Sequence, residues 1–359
     1  MSLNPIAAHD ALTLLDQFDA RIDARSESEF ALDHLPGAVN WPTLDDVQRQ
    51  QIGTMYAQIN PFEARKRGAI LAARNIADHV ERHVLQQAKD WRPLTYCWRG
   101  GQRSGALSLI LSQIGFRVSV IEGGYKAFRA AMLAHMGPLV GRLNWRVICG
   151  PTGSGKTRLL QALAQVGAQV LDLEQLAQHR SSVLGALPGQ AQPSQKRFDT
   201  LIWDAVRQFD PQQPVYVESE SKKVGNVTVP TELLQAMRAS PCLDLHLPDQ
   251  ERVALLLEDY DWLVRDGSQF CDRLETLTAL RGRNRISQWQ AQVRAGDLLP
   301  VVCGLLLEHY DPAYHASMQR NFSHFSSARK IELPDRSRTT LHALAQQLLA
   351  EAKTPTSNS

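Results

Sequence analysis

Short apolar runs alternate with stretches of helix-like apolar spacing along roughly the first 130 residues, the pattern of an α/β domain built on a parallel sheet. Residues 20–24 read as the end of one strand and residues 94–97 as another. Residues 69–84 carry apolar side chains at helical spacing, residues 104–114 read as a helix closed by Gly115, and residues 117–121 as the next strand. Cys97 therefore falls where a strand turns into a helix.

The stretch 133–143 contains Gly137, Pro138 and Gly141 and is the predicted boundary, dividing the chain into domains 1–135 and 136–359. A new α/β unit starts straight after it: an apolar strand at 145–149, a glycine-rich turn at 150–155, a helix at 156–165 and a strand at 168–171. A further strand is predicted over 214–218, and from Gln250 onward the pattern is mostly helical. The polar tail 354–359 is expected to fray. No internal repeat or low-complexity tract interrupts the chain.

Composition narrows the class. With 359 residues, two domains are expected, and 43% hydrophobic with 21% charged residues is the make-up of a globular protein. The formal net charge is only +2, and a split near residue 135 leaves each part balanced to within one charge. Any nucleic-acid contact must then be a local patch. The candidates are Arg65-Lys66-Arg67, Lys196-Arg197, Lys222-Lys223 and the cluster Arg281, Arg283 and Arg285, each of which competes with the plainer reading of a solvated face.

The five cysteines, Cys97, Cys149, Cys242, Cys271 and Cys303, show neither zinc spacing nor a disulfide framework, so a reducing compartment is expected and no metal ligand set is assigned. No basic head precedes an apolar run in the first 20 residues, and no apolar stretch is long enough to span a bilayer. These observations predict a cytoplasmic protein without membrane contact.

Two segments carry chemistry. In Cys97-Trp98-Arg99-Gly100-Gly101-Gln102-Arg103-Ser104 the cysteine precedes Gly100 and Gly101, whose missing side chains let backbone amides converge on one point near a helix N-terminus. Such a cradle favours a thiolate, and with Arg99 and Arg103 it is suited to a tetrahedral oxyanion. The plainer reading of Cys97 is a buried structural thiol. Asp23 and Arg25 read as braces of the fold, and His34 as a structural hydrogen-bonding group.

This segment resembles the rhodanese family. Ile22-Asp23-Ala24-Arg25, Glu29-Phe30 and His34-Leu35-Pro36-Gly37-Ala38-Val39-Asn40 look like its leading signature, and Glu122-Gly123-Gly124-Tyr125 like its closing one. The resemblance covers about residues 6 to 130. In sulfur-transferring members the matching cysteine carries a persulfide, whereas the longer cysteine-x5-arginine loop is similar to that of phosphatase and arsenate-reductase relatives.

The second segment, Gly150-Pro151-Thr152-Gly153-Ser154-Gly155-Lys156-Thr157, has the G-x-x-x-x-G-K-[ST] pattern between a predicted strand and a predicted helix. Its glycines allow amides to wrap a phosphate chain, Lys156 supplies a point charge, and the Thr157 hydroxyl can reach a magnesium ion. The acidic residue that usually orients such a metal has three candidates, Asp172, Glu218 and Glu220, none at a clean match to a P-loop ATPase. With Asp172 about twenty residues on, the loop also looks like that of tRNA prenyltransferases, which binds a prenyl diphosphate. Gly150, Thr152, Gly153, Ser154, Gly155, Lys156, Thr157 and Asp172 are the predicted phosphate-site residues.

Rhodanese signatures followed by this P-loop resemble the tRNA 2-selenouridine synthase family. Asp172-Leu173-Glu174, His179-Arg180-Ser181-Ser182, Gln195-Lys196-Arg197-Phe198 and Val217-Glu218-Ser219-Glu220-Ser221 followed by Gly225 look like segments of it. The resemblance implies a rhodanese-like parallel-sheet domain followed by a P-loop α/β domain with a helical C-terminal part. It also implies a tRNA substrate carrying a wobble 2-thiouridine, with geranyl diphosphate and selenophosphate as co-substrates and no tightly bound cofactor. Magnesium is compatible with this, and the oligomeric state is left open. From the residues alone two other classes stay open: a sulfurtransferase or rhodanese-like phosphatase joined to a nucleotide-driven regulatory module, and a binding module in which Cys97 is unused.

Overall fold

The computed structural model describes residues 3–181, 185–186 and 189–353; the tail 354–359 and Ser182 lie outside these. The chain divides into two compact units, one of residues 1–138 with 194–204, the other of 139–193 with 205–359. The excursion 194–204 returns to the first unit, an arrangement that a single cut in the chain does not describe.

The first unit is built on a parallel sheet. Its strands are β1 (Asn4–Ile6), β2 (Ala20–Asp23), β3 (Ala38–Asn40), β4 (Pro93–Tyr96) and β5 (Ser119–Ile121), in the order β1-β5-β4-β2-β3. All four residues of the central strand β4 are buried, as expected where helices cover both faces of a parallel sheet. Ile22, Ile76, Leu107 and Leu111 belong to one of its buried apolar clusters. The helices Pro61–His83 and Gln102–Ile114 lie where the apolar spacing predicts them, the first beginning several residues earlier because Asn60 caps it, accepting the Phe62 amide at 2.7 Å.

The stretch 133–143, predicted as the domain boundary, is helical as far as Gly141. Gly124–Gly141 runs through Gly137 and Pro138, because Phe128, Met132 and Met136 recur at four-residue spacing and are each at most 2% exposed. Burial of that stripe outweighs the local preference of glycine and proline for a turn.

In the second unit β6 (Asn144–Cys149), β7 (Gln169–Leu171), β8 (Pro214–Glu218), β11 (Cys242–His246) and β12 (Arg329–Glu332) form a parallel sheet ordered β12-β11-β6-β8-β7, and the two-residue strands β9 (Lys223–Val224) and β10 (Val227–Thr228) form a hairpin. The phosphate-loop motif follows the central strand β6, the place where a parallel sheet presents its carboxyl ends to ligands. Ile148, Leu159, Leu163, Leu245 and Leu341 lie in the core of this sheet and its helices. The C-terminal part is helical as predicted, apart from β12. That edge strand escapes a sequence reading because only Ile331 of its four residues is buried.

Candidate active site with two anion cradles

Cys97 follows β4 directly and is 3% exposed. Its Sγ points into its own loop, where the Gly101 amide and the Ser104 hydroxyl each donate to it at 3.2 Å. The loop is shaped from behind by the start of the helix Gly124–Gly141: the Tyr125 and Lys126 amides donate to the Cys97 and Trp98 carbonyls at 2.8 and 3.1 Å. Gly100 and Gly124 make this approach possible. Both have left-handed φ, +67° and +61°; a Cβ on Gly100 would lie 2.8 Å from the Ile121 carbonyl oxygen, and one on Gly124 would collide with the Cys97 carbonyl oxygen.

The two arginines of the motif part ways. Arg99 is exposed, whereas Arg103 donates to Glu29 at 2.7 Å, and Glu29 also pairs with Arg49 at 3.1 Å. Burial works to raise the Glu29 carboxyl, but the Arg103 hydrogen bond and charge outweigh it and hold the group below its ordinary value. A cation that sequence reading placed only in an RNA patch comes close instead: Lys196 Nζ lies 5.7 Å from the centre of the Trp98 ring.

Lys196 is brought there by the excursion 194–204, which is anchored on buried Asp33. The Tyr125 and Thr200 hydroxyls donate to that carboxylate at 2.6 and 3.0 Å, and Arg129 spans Asp33 and Asp199 at 3.5 and 2.6 Å. Burial pushes Asp33 up. The buried pair Asp23 and Arg25, at 2.6 Å, braces the same wall, with the guanidinium 4.0 Å from the Tyr125 ring centre. His34 stacks on Phe30 and contacts its carbonyl oxygen at 2.9 Å.

The second cradle opens into a cavity of about 1490 Å³, lined by Thr152, Gly153, Gly155, Lys156 and Thr157 of the phosphate loop. Lys156 Nζ is folded back onto the Gly150 and Pro151 carbonyls at 2.7 and 3.2 Å. Two residues far along the chain hold the loop. The Gly150 amide donates to the Tyr314 hydroxyl at 2.5 Å, and Arg252, paired with Asp311 at 2.6 Å, donates to the Thr152 carbonyl at 2.8 Å. Ser154 Oγ is fully buried without a hydrogen-bond partner.

Carboxylates crowd the far side of the loop. Thr157 Oγ1 donates to Glu174 at 3.2 Å, and Glu174 also accepts the Ser181 amide at 2.6 Å. Glu220, 5% exposed, accepts a hydrogen bond from the Ser181 hydroxyl and faces the cavity. Burial and the neighbouring Glu174 push its carboxyl up to about 7. Glu218 is fully buried, with one oxygen accepting the Glu174 amide at 3.0 Å and the other without a partner. Burial, then the charges of Glu174, Glu220 and Asp172, raise it as well.

Asp172, predicted at the phosphate site, caps the helix Leu173–Ala177, accepting the Gln175 amide at 2.8 Å. Glu174, two residues on, takes the place beside Thr157. Among the described residues no three His, Cys, Asp or Glu side chains are grouped to hold a metal ion. Of the basic patches, Arg65, Lys66 and Arg67 are exposed on the helix Pro61–His83 and Lys222 and Lys223 are exposed beside the hairpin. Arg281 contacts His309 at 3.1 Å and Arg285 pairs with Glu308. No helix among the described residues is long and apolar enough to cross a membrane.

Comparison with known proteins places each cradle in a recognised segment. Residues 7–131 match the rhodanese-like domain family, and residues 143–294 match the family described as the tRNA 2-selenouridine synthase AAA domain. A protein of Alcanivorax borkumensis named tRNA 2-selenouridine synthase is 29% identical over 343 residues, covering 87% of this chain and 92% of the relative. The protein of the same name from Nitrosomonas europaea is 36% identical over 266 residues, covering 72% of this chain and 68% of the relative. That from Pseudomonas syringae pv. syringae is 31% identical over 324 residues, covering 82% and 87%. With both segments matched in order and similarity running through most of the chain, the protein belongs to the tRNA 2-selenouridine synthase family.

Proposed function

We propose that the protein converts the wobble 2-thiouridine of tRNA to 2-selenouridine in two steps. Geranyl diphosphate first alkylates the sulfur and leaves as diphosphate; the selenium of selenophosphate then attacks carbon 2, the carbon–sulfur bond breaks to release geranyl thiol, and water cleaves the phosphorus–selenium bond to release phosphate. A thiocarbonyl sulfur leaves poorly, whereas the alkylated sulfur leaves as a thiol, which lowers the barrier to attack by a selenium nucleophile. The observation that carries this reading is the presence, in one chain of this family, of two anion cradles of different build: a small one closed around a cysteine sulfur and a large one open to a cavity.

In this reading the phosphate loop holds the diphosphate of the prenyl donor. The loop amides and Lys156 stabilise the charge that develops as the carbon–oxygen bond breaks, once Lys156 exchanges the carbonyls of Gly150 and Pro151 for the ligand. The donor set fits a magnesium ion carried in on the diphosphate: the Thr157 hydroxyl and the Glu174 carboxylate would hold it, and it would neutralise phosphate charge. The Cys97 loop handles the tetrahedral selenophosphate, with the Gly101 amide and the Ser104 hydroxyl as donors beside the sulfur, Arg99 as the loop's exposed cation and Lys196 over Trp98. The basic patches would contact the tRNA backbone, so that binding weakens steeply with salt.

Mass spectrometry of wobble nucleosides tests the assignment. Thiolated tRNA incubated with protein and geranyl diphosphate alone should accumulate the S-geranyl nucleoside, and adding selenophosphate should convert it to 2-selenouridine. Absence of both products with both donors present would refute it.

A further inference from the structure

A smaller chamber opens off the large cavity beside the phosphate loop. Thr152, Leu256, Tyr260 and Tyr310 line both spaces, and Leu256 lies over Gly153 of the loop. Beyond this mouth the walls are Leu257, Val264, Phe270, Val302, Leu305 and Leu306, all apolar. Phe270 and Leu305 are 3% exposed and sit in a packed cluster with Leu274, Ile286 and Trp289, so the wall is backed by core rather than by water. Part of it, with Tyr310 of the mouth, comes from the π-helical turn Leu305–Tyr310, a distortion frequent at functional sites.

The chamber encloses about 50 Å³. At roughly 10–15 Å³ for each water-sized group, it has room for about four such groups. Beyond the mouth its side chains offer water no hydrogen bonds, and an apolar space of this kind takes apolar ligands in preference to water. A space of that size takes the branched end of an isoprene unit, about four of its five carbons, and its polar neighbours, Thr152, Tyr260 and Tyr310, lie at the mouth beside the phosphate cradle.

We infer that this chamber receives the terminal isoprene unit of the prenyl donor and thereby sets the chain length the protein accepts. The inference rests on the reading that the phosphate loop holds a prenyl diphosphate. With the diphosphate in the loop, the first isoprene unit lies at the mouth among Leu256, Tyr260 and Tyr310, and the second fills the chamber. A five-carbon donor leaves the chamber empty and forgoes its burial. A fifteen-carbon donor needs a third unit's worth of space that Phe270, the largest side chain lining the chamber alone, now occupies.

The experiment presents thiolated tRNA with dimethylallyl, geranyl and farnesyl diphosphate and measures each S-alkyl nucleoside by mass spectrometry, for the wild type and two variants. The wild type should use the ten-carbon donor best. Phe270→Ala should raise farnesyl over geranyl use by about tenfold or more, and Val302→Phe should lower geranyl use by about tenfold while sparing dimethylallyl, the scale on which apolar pockets discriminate. The two changes push selectivity in opposite directions, so one variant that fails to fold leaves the other decisive, and thermal melts establish which is folded. Folded variants with wild-type donor ratios would overturn the chamber's role. A wild type that alkylates with none of the three donors would instead overturn the prenyl reading itself.

Discussion

The two loops stand at the same place, the carboxyl end of the central strand of a parallel sheet, and differ in what they leave free. Around Cys97 the loop is closed on its own sulfur and pressed from behind by Gly124, and Arg103 is committed to Glu29. Around Lys156 the loop faces a cavity of about 1490 Å³, its lysine rests on its own carbonyls, and carboxylates crowd one side. A closed cradle with a sulfur at its centre suits chemistry on a small oxyanion. An open one with a lysine beside a cavity and an apolar annex suits a ligand with a phosphate head and a greasy tail. The comparison teaches that two loops at equivalent places in parallel sheets are told apart by the side chains around them, which set how much space and charge each leaves free.

The strongest way to break the comparison is to remove the sulfur. Cys97→Ser should reduce selenation by at least about 10³-fold, as loss of a catalytic side chain does, while S-geranyl tRNA still accumulates in the mass spectrum. A folded variant that loses both steps together would show that the cradles do not divide the labour. Next in size, Lys156→Ala should slow S-geranylation by about 10²–10³-fold through loss of charge stabilisation. When pre-formed S-geranyl tRNA is supplied with selenophosphate, the same variant should turn over at close to the wild-type rate. A matching loss in that second assay would contradict the separation.

How far the sequence carried this picture depends on the range of the signals. The strand–turn–helix context of both loops was legible because apolar period and glycine placement are local. The helix Gly124–Gly141 was not: Gly137, Pro138 and Gly141 read as a domain boundary, and only the buried stripe from Phe128 to Met136 explains the continuity of the helix there. Asp172 stood at the expected distance from the phosphate loop, yet the turn after β7 spends it on a helix cap and puts Glu174 beside Thr157. Tyr314 and Arg252 reach the loop across 164 and 100 residues of chain, and Lys196 reaches Trp98 through an excursion between units. No periodicity or spacing encodes contacts of that separation; the closing signature at Gly123 and Gly124 was the one distant partner with a sequence mark.

A smaller effect probes the backing of the first cradle. Gly124→Ala places a Cβ against the Cys97 carbonyl in a left-handed conformation. Strain and collision together should cost about 3 kcal/mol of stability, read as a lower denaturation midpoint with an unchanged slope. Gly101→Ala, where no atom lies within 4 Å of the added carbon, is the control and should cost under about 1 kcal/mol. Equal losses in the two variants would mean that Gly124 does not shape the loop.

The smallest effect sharpens the other side. Glu220 is pushed up to about 7 by burial and by Glu174, against an ordinary value of about 4.3. Between those values the folded chain holds a proton that the unfolded chain has released. The stabilisation is therefore fully present below about pH 4 and is lost as pH rises through about 7. Glutamine cannot ionise, yet it keeps an oxygen for the Ser181 hydroxyl. Glu220→Gln should accordingly be more stable than the wild type by about 1–3 kcal/mol at pH 8, with the difference shrinking steadily toward pH 5. Denaturation curves for both proteins across that range decide it. Parallel curves would mean that Glu220 is charged in the folded state at pH 5, and that the crowding beside Glu174 and Glu218 is relieved by solvent or a counter-ion rather than by a proton.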